Sequence, residues 1–213
     1  MRLYLSSFNL GNKPEELLAL LGGKTRTAVI LNAGDAGPEH RRSASLEREV
    51  NNLKGLGLDP TDVDLRDFFG RPEALRDVLQ GFDLLWVRGG NCFVLRRAFR
   101  QSGADEIILD LLQRDAIVYA GYSAAIDMLV PSMQGSELVD DPTIVPDGYE
   151  APIIWEGLNL IPYAVAPHYR SDHGESAMID LAVEYLIDHH ILFKALRDGQ
   201  AIVIDANGER VVG

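Results

Sequence analysis

The sequence predicts an α/β protein with three layers, in which a mainly parallel sheet lies between two layers of helices. Apolar, β-branched runs alternate with segments of helical period from the N-terminus to about residue 130. This alternation is typical of right-handed βαβ units around a parallel sheet. Residues 200–213 instead predict two short strands around an Asn-Gly turn, which form an antiparallel hairpin at the sheet edge.

The first part of the chain predicts three strands and three helices. RLYLSS predicts a strand over 2–7, and Pro14 begins a helix over 14–22 because proline is favoured in a first helical turn. TAVILNAG predicts a buried strand over 27–34. Three further elements follow: an amphipathic helix over 38–56, a strand over 62–67 and a helix over 71–82.

The next elements continue this alternation. DLLWVRGG predicts a strand over 83–90, and two helices follow over 92–102 and 104–114. Residues 131–156 are rich in Pro, Asp, Glu and Gly, and they predict a long ordered loop or hairpin that forms a wall of a site. The other predicted elements are a strand over 116–121, a helix that starts at 123, a strand over 163–168 and a helix over 175–190.

Size and charge limit the function classes. With 213 residues, 46% of them hydrophobic, and no linker-like segment, the chain is predicted to form one domain over 1–213. Its formal net charge of −12 disfavours nucleic acid and anionic membranes as partners. One cysteine, the absence of a secretion signal and the absence of a membrane-length apolar run predict a cytoplasmic protein.

Ser123 follows a predicted buried strand directly and precedes a predicted helix, in the stretch GYSAA. A sharp turn of this kind exposes a serine hydroxyl and leaves backbone N–H groups of the helix unpaired, as a nucleophile requires. Ala124 would offer the N–H after the nucleophile. The alternative is that Ser123 only caps the helix, since serine is a favoured N-cap residue.

Another strand end, RGGN at 88–91, carries two glycines. Glycines allow close approach of the backbone to a ligand and can present a second N–H to a developing oxyanion, although a plain turn would have the same sequence. Cys92 follows and is expected to be a small buried thiol. His168 lies at a strand end, where a general base is expected; a metal site with His173 and Asp172 has no familiar ligand spacing.

Three segments occur in order: GGNCFVLRRAFRQSG, GYSAAIDM and NLIPYAVAPHY. Together they resemble the peptidase E and cyanophycinase family of serine peptidases, whose core is flavodoxin-like and related to class I glutamine amidotransferases. The resemblance implies hydrolysis of short peptides by an exopeptidase without a cofactor or metal. Members of the family often self-associate, so it also allows a homodimer.

The resemblance assigns roles to particular residues. Ser123 matches the nucleophile and His168 the general base, while Gly90 and Ala124 match the oxyanion donors. The family has an acidic third residue after the nucleophile helix, and Glu137 is the choice here, with Asp140 and Asp141 as alternatives.

The resemblance does not select one residue for contact with the substrate. Asn91 and Arg170 are candidates for substrate binding, and Arg88 and Arg97 are further candidates for binding a substrate carboxylate. Peptidase E proper prefers substrates with an N-terminal aspartate, and this preference is not assigned to the present chain.

One residue departs from the pattern of the family. The usual Ser-Ala-Gly-Ala is Ser-Ala-Ala-Ile here, so Ala125 stands where a glycine is usual. A methyl group at this position could crowd the pocket. This departure leaves open a non-catalytic member that binds a small ligand or partner. A separate alternative is an amidotransferase-like hydrolase that uses Cys92.

Overall fold

The computed structural model describes residues 1–213. The strands are β1 (Arg2–Ser6), β2 (Arg26–Ile30), β3 (Asp59–Asp62), β4 (Leu84–Val87), β5 (Val118–Tyr122), β6 (Ala164–Ala166), β7 (Phe193–Ala195), β8 (Ala201–Asp205) and β9 (Gly208–Val212). The α-helices are α1 (Pro14–Leu21), α2 (Glu39–Gly55), α3 (Pro72–Leu79), α4 (Cys92–Ser102), α5 (Ala104–Gln113), α6 (Ala124–Asp127) and α7 (Ser176–Asp188).

Seven strands form the main sheet, in the order β3-β2-β4-β5-β1-β8-β9. The first five are parallel, whereas β8 and β9 are antiparallel and form the C-terminal hairpin. Two apolar clusters cover the two faces of the main sheet. Along β1, Leu3 and Leu5 belong to the larger cluster and Tyr4 to the smaller one, because successive side chains of a strand point to opposite faces. The predicted three-layer α/β fold is confirmed.

The strand predicted over 62–67 is wrong in position, because β3 ends at Asp62. Residues Leu65–Phe68 form a 3₁₀ helix that the Asp64 carboxylate caps by accepting the Arg66 N–H, and Leu65 is fully buried. The alternation of apolar residues after Asp62 therefore reflects burial in a turn. Pro60 is accommodated because β3 is an edge strand.

The strand near residue 165 does not join the main sheet. It is β6, which pairs in parallel with β7 in a separate two-stranded sheet, and β7 was not predicted. The predicted loop over 131–156 closes through one bridge between Ser132 and Glu156. No helix in the chain combines the length and the apolar character that crossing a membrane requires.

Candidate active site

Ser123 occupies a strained turn between β5 and α6. Its φ of 53° and ψ of −119° are unfavourable for a residue with a side chain, as in the serine turns that expose a nucleophile. Its hydroxyl does not cap α6, because no N–H of that helix donates to it. The capping interpretation therefore does not describe this serine, whose side chain is left free at the end of a buried strand.

Two backbone N–H groups near Ser123 lack acceptors. The Ala124 N–H is in the first position of α6, where no intrahelical acceptor exists, and the Gly90 N–H makes no hydrogen bond. Gly90 has a φ of 147°, and a Cβ on it would lie 2.7 Å from the Ala33 carbonyl oxygen. A glycine is thus required for the loop to take this conformation.

His168 is held by a carboxylate that the sequence did not indicate. Its Nδ1 lies 2.7 Å from Asp198 Oδ1, and this aspartate follows β7 in the chain. The Ser7 hydroxyl donates to the same carboxylate at 2.8 Å and accepts the His168 backbone N–H at 2.8 Å. These contacts leave Nε2 of His168 as the nitrogen that can exchange a proton.

Aromatic rings enclose the His168 imidazole. The His173 ring stacks on it with centroids 3.7 Å apart, and Phe8 packs edge-on at 5.6 Å. Burial lowers the pKa of His168, and the hydrogen bond and charge of Asp198 partly oppose this effect. The imidazole is therefore favoured in its neutral form, which can accept a proton.

Ser123 and His168 line one open cavity of about 330 Å³, together with Gly89, Gly90 and Tyr122. The catalytic serine candidate, the histidine and the loop with the free N–H thus face the same space. Glu175 also lines it, with its Oε2 3.9 Å from His168 Nε2.

A second, narrow cavity of about 40 Å³ begins on the other side of Ser123. Its walls combine apolar residues with polar groups that include Asp127, Asp140 and Glu175. Burial raises the pKa of Asp140 to about 6 and that of Asp127 well above its ordinary value. This side of Ser123 is therefore apolar and acidic in character.

Glu137 lies away from the imidazole. Its carboxylate accepts the Gly135 N–H at 2.6 Å within its own turn and forms neither a hydrogen bond nor an ion pair with His168. Asp140 accepts the Cys92 N–H at 2.8 Å, and Asp141 accepts from Thr143. The structure brings Ser123, His168, Gly90 and Ala124 together but does not add Glu137 to them.

The candidate substrate-binding residues have other contacts. The Asn91 side chain caps α4 by accepting the Val94 N–H and donates to the Asp141 carbonyl. The Arg170 guanidinium lies over the Tyr169 ring and outside both cavities. Arg97 is buried and donates to carbonyls of the 131–156 loop, which leaves Arg88 as the arginine of the predicted set that lines the Ser123 cavity.

Ala125 packs in the core and not in the cavity. It is fully buried and belongs to the larger apolar cluster, and neither cavity next to Ser123 is lined by it. A Cβ on Gly121 would lie 2.6 Å from its methyl group and 2.3 Å from the Val87 carbonyl oxygen. Gly121 thus provides the space that this alanine requires.

Neither the Cys92 thiol nor a metal ion is supported as part of the site by the geometry. Cys92 is fully buried and burial raises the pKa of its thiol well above the ordinary value, so the thiolate is disfavoured. The ligand atoms of His168, His173 and Glu175 lie within 4.8 Å of one another. The two imidazole planes, however, are only 7° from parallel, so their in-plane lone pairs do not converge on one ion.

A parallel α/β sheet that presents a free serine at a strand-to-helix turn, beside a buried histidine, is an arrangement typical of hydrolases. The model of peptidase family S51 matches residues 12–212, and the chain therefore belongs to this family of peptidases. The family resemblance of the three sequence segments is confirmed.

Individual relatives agree with this assignment. Peptidase E of Streptomyces coelicolor is 28% identical over 135 residues, which cover 61% of this chain and 51% of the relative. Peptidase E of Salmonella arizonae is 25% identical over 221 residues, which cover 99% of this chain and 89% of the relative. The crystal structure of a peptidase from an acI-B1 Actinobacterium has a TM-score of 0.74 at 18% identity, covers 100% of this chain and 87% of its own, and so shows a shared fold.

Proposed function

We propose that this protein is a serine exopeptidase that hydrolyses short peptides through an acyl-enzyme on Ser123. The observation that supports it best is the single cavity shared by a strained, uncapped Ser123 and by His168, whose Nδ1 bonds to Asp198 at 2.7 Å. A nucleophile, a base and an orienting carboxylate are the parts that acyl transfer requires. Asp198 takes the role for which the sequence favoured Glu137.

In the first half of the reaction, His168 Nε2 takes the proton of the Ser123 hydroxyl as the oxygen attacks the peptide carbonyl carbon. The N–H groups of Gly90 and Ala124 donate to the oxyanion that forms, and each donor contributes a factor on the order of 10²–10³ in rate. The imidazolium then gives its proton to the leaving amine as the C–N bond breaks.

In the second half, His168 takes a proton from water as the water oxygen attacks the ester carbonyl, and the imidazolium then returns the proton to the Ser123 oxygen as its bond to carbon breaks and the acid is released. Asp198 holds the neutral imidazole in the tautomer with hydrogen on Nδ1 and stabilises the imidazolium in both halves. The Ser123 hydroxyl and His168 Nε2 are not hydrogen-bonded in the free protein; such bonds often tighten only with substrate.

A fluorophosphonate probe is expected to form a covalent adduct on Ser123, because an activated serine oxygen displaces fluoride from its phosphorus and this reaction needs no peptide subsite. Intact-mass and peptide mass spectrometry would locate the adduct. Cys92→Ser should label as fully as the wild type, whereas His168→Gln should label far more slowly. A folded protein without an adduct on Ser123 would instead support a non-catalytic binder.

Ala125 does not favour that non-catalytic alternative. A methyl group that crowded the substrate pocket would favour it, but the Ala125 methyl lies in the core beside Gly121. The buried state and raised pKa of Cys92 likewise do not favour a thiol nucleophile.

The pH profile of kcat/KM is expected to have an acid limb centred below pH 6.5, the ordinary pKa of histidine. Only neutral His168 can accept the Ser123 proton, and burial lowers its pKa, so activity persists to lower pH than for an exposed histidine. Steady-state rates across pH 4–8 measure this limb.

Glu175→Gln tests the direction in which a nearby charge moves the acid limb of the pH profile. The charge of Glu175 raises the pKa of His168 as a smaller contribution, after burial and Asp198, so its removal should move the acid limb to still lower pH. An acid limb above pH 7 would contradict the assignment of His168 as the base.

A further inference from the structure

We infer that the leaving end of the substrate carries a carboxylate, which binds in an arginine-lined cavity next to Ser123. This inference rests on the proposed function, because it names the class of peptide that the same site would take. The cavity has a volume of about 400 Å³, and Arg41, Arg42, Arg48 and Arg88 line it. No carboxylate side chain is among its lining residues, although the chain as a whole has a net charge of −12.

This arginine cavity adjoins the Ser123 cavity directly. Arg48 and Arg88 line both of them, and Arg88 precedes the Gly89–Gly90 loop at the end of β4. On α2, Arg41 and Arg48 are seven residues apart, which places them on one face of the helix. A peptide with its carbonyl at Ser123 therefore has a continuous path over the glycine loop to this helix face.

The positive charge of the cavity is only partly neutralised. Arg42 is paired with Asp35, Asp62 and Asp64, but Arg41 forms no salt bridge. Arg48 and Arg88 share one buried carboxylate, Glu49, at 3.6 and 3.8 Å. That carboxylate accepts hydrogen bonds from Trp86 and Tyr122 and none from either guanidinium group.

The arginine side chains of this cavity and the acidic character of the cavity across Ser123 both favour an anion in the arginine-lined cavity. The Nε atoms of Arg42 and Arg88 are buried and make no hydrogen bond, although each lies at ion-pair distance from a carboxylate, 3.9 Å from Asp35 and 3.8 Å from Glu49. Arginine binds carboxylates with charge-assisted, often bidentate bonds. The cavity on the other side of Ser123 instead contains Asp140, whose negative charge at neutral pH repels an anion and favours the amino end of a peptide.

The test measures peptide binding to Ser123→Ala protein by calorimetry, so that turnover does not interfere. Four peptides separate the two sources of a carboxylate: Ala-Ala-Glu, Ala-Ala-Gln, Ala-Ala-Glu-amide and Ala-Ala-Gln-amide. We expect the peptides with a carboxylate to bind about tenfold tighter than Ala-Ala-Gln-amide, since one charged hydrogen bond contributes about that factor. Raising the salt concentration should reduce this difference.

Variants locate the binding site. Arg41→Gln/Arg48→Gln should remove the preference for carboxylates, and both side chains are exposed, so the fold should persist. Lys54→Gln/Arg100→Gln removes two exposed positive charges outside the cavity and should retain the preference. Inorganic phosphate should compete with the carboxylate peptides for Ser123→Ala protein whose arginines are intact. It should not compete when Arg41→Gln/Arg48→Gln is added to that protein.

The inference is overturned if all four peptides bind alike, if none binds, or if the preference survives the double arginine substitution. Fluorophosphonate labelling of Ser123 requires no carboxylate subsite. Labelling without a carboxylate preference would therefore reject this inference and leave the proposed function standing.

Discussion

Ser123→Ala is expected to reduce kcat for peptide hydrolysis by a factor on the order of 10⁶, as loss of a serine nucleophile does when no other group can form the acyl-enzyme. The hydroxyl makes no cap or other hydrogen bond in the fold, so stability should be nearly unchanged. A library of di- and tripeptides read by mass spectrometry, together with thermal unfolding, measures both effects.

The matched control for this serine is Cys92→Ser. The thiol is buried, lies outside the cavities next to Ser123 and has a raised pKa, so activity should remain while stability falls slightly from changed packing. Unchanged turnover by Ser123→Ala, or loss of turnover in a folded Cys92→Ser, would reverse the assignment of the nucleophile.

Asp198→Asn is expected to lower kcat by about 10⁴, because an amide at this position can hold the imidazole in the wrong tautomer. It should also move the acid limb of the pH profile to lower pH. Burial lowers the pKa of His168 and Asp198 opposes that effect, so its removal lowers the pKa further. Steady-state kinetics across pH measure both changes, and a residue with only a structural role would not move the limb.

Glu137→Gln is the comparison that decides between the two candidates for the third residue. Its carboxylate accepts a hydrogen bond from Gly135 in its own turn, and glutamine retains an acceptor oxygen. We expect kcat and the acid limb to stay close to those of the wild type. A large loss in Glu137→Gln with little effect in Asp198→Asn would restore the choice made from the sequence.

Local sequence signals located Ser123, Gly90 and Ala124, because each lies where a buried strand ends and the chain turns into a helix. The carboxyl ends of neighbouring parallel strands meet at one edge of the sheet, so these residues could be placed together without a structure. The pairing of β4 with β5 confirms that neighbour relation.

Asp198 could not be found in this way, because no strong pattern precedes it. The short strand β7 is half-buried, and its partner β6 lies far from it in the sequence. Distance along the chain favoured Glu137, whereas the Leu196 N–H bonds to the Ala166 carbonyl and thereby brings the later loop to His168. Ala125 was equally undetermined, since only packing against Gly121 shows where its methyl group points.

The hydroxyl of Ser7, just after β1, bonds both to the backbone of His168 and to the carboxylate of Asp198. His168 and Asp198 follow the two strands of the small sheet, and Ser123 follows β5 of the large sheet. The imidazole and Asp198 are therefore preassembled as one rigid unit, and Ser7 anchors that unit to the scaffold. Because β1 pairs with β5, this anchor connects the proposed base to the strand that ends just before Ser123, and it fixes the register between the proposed base and nucleophile.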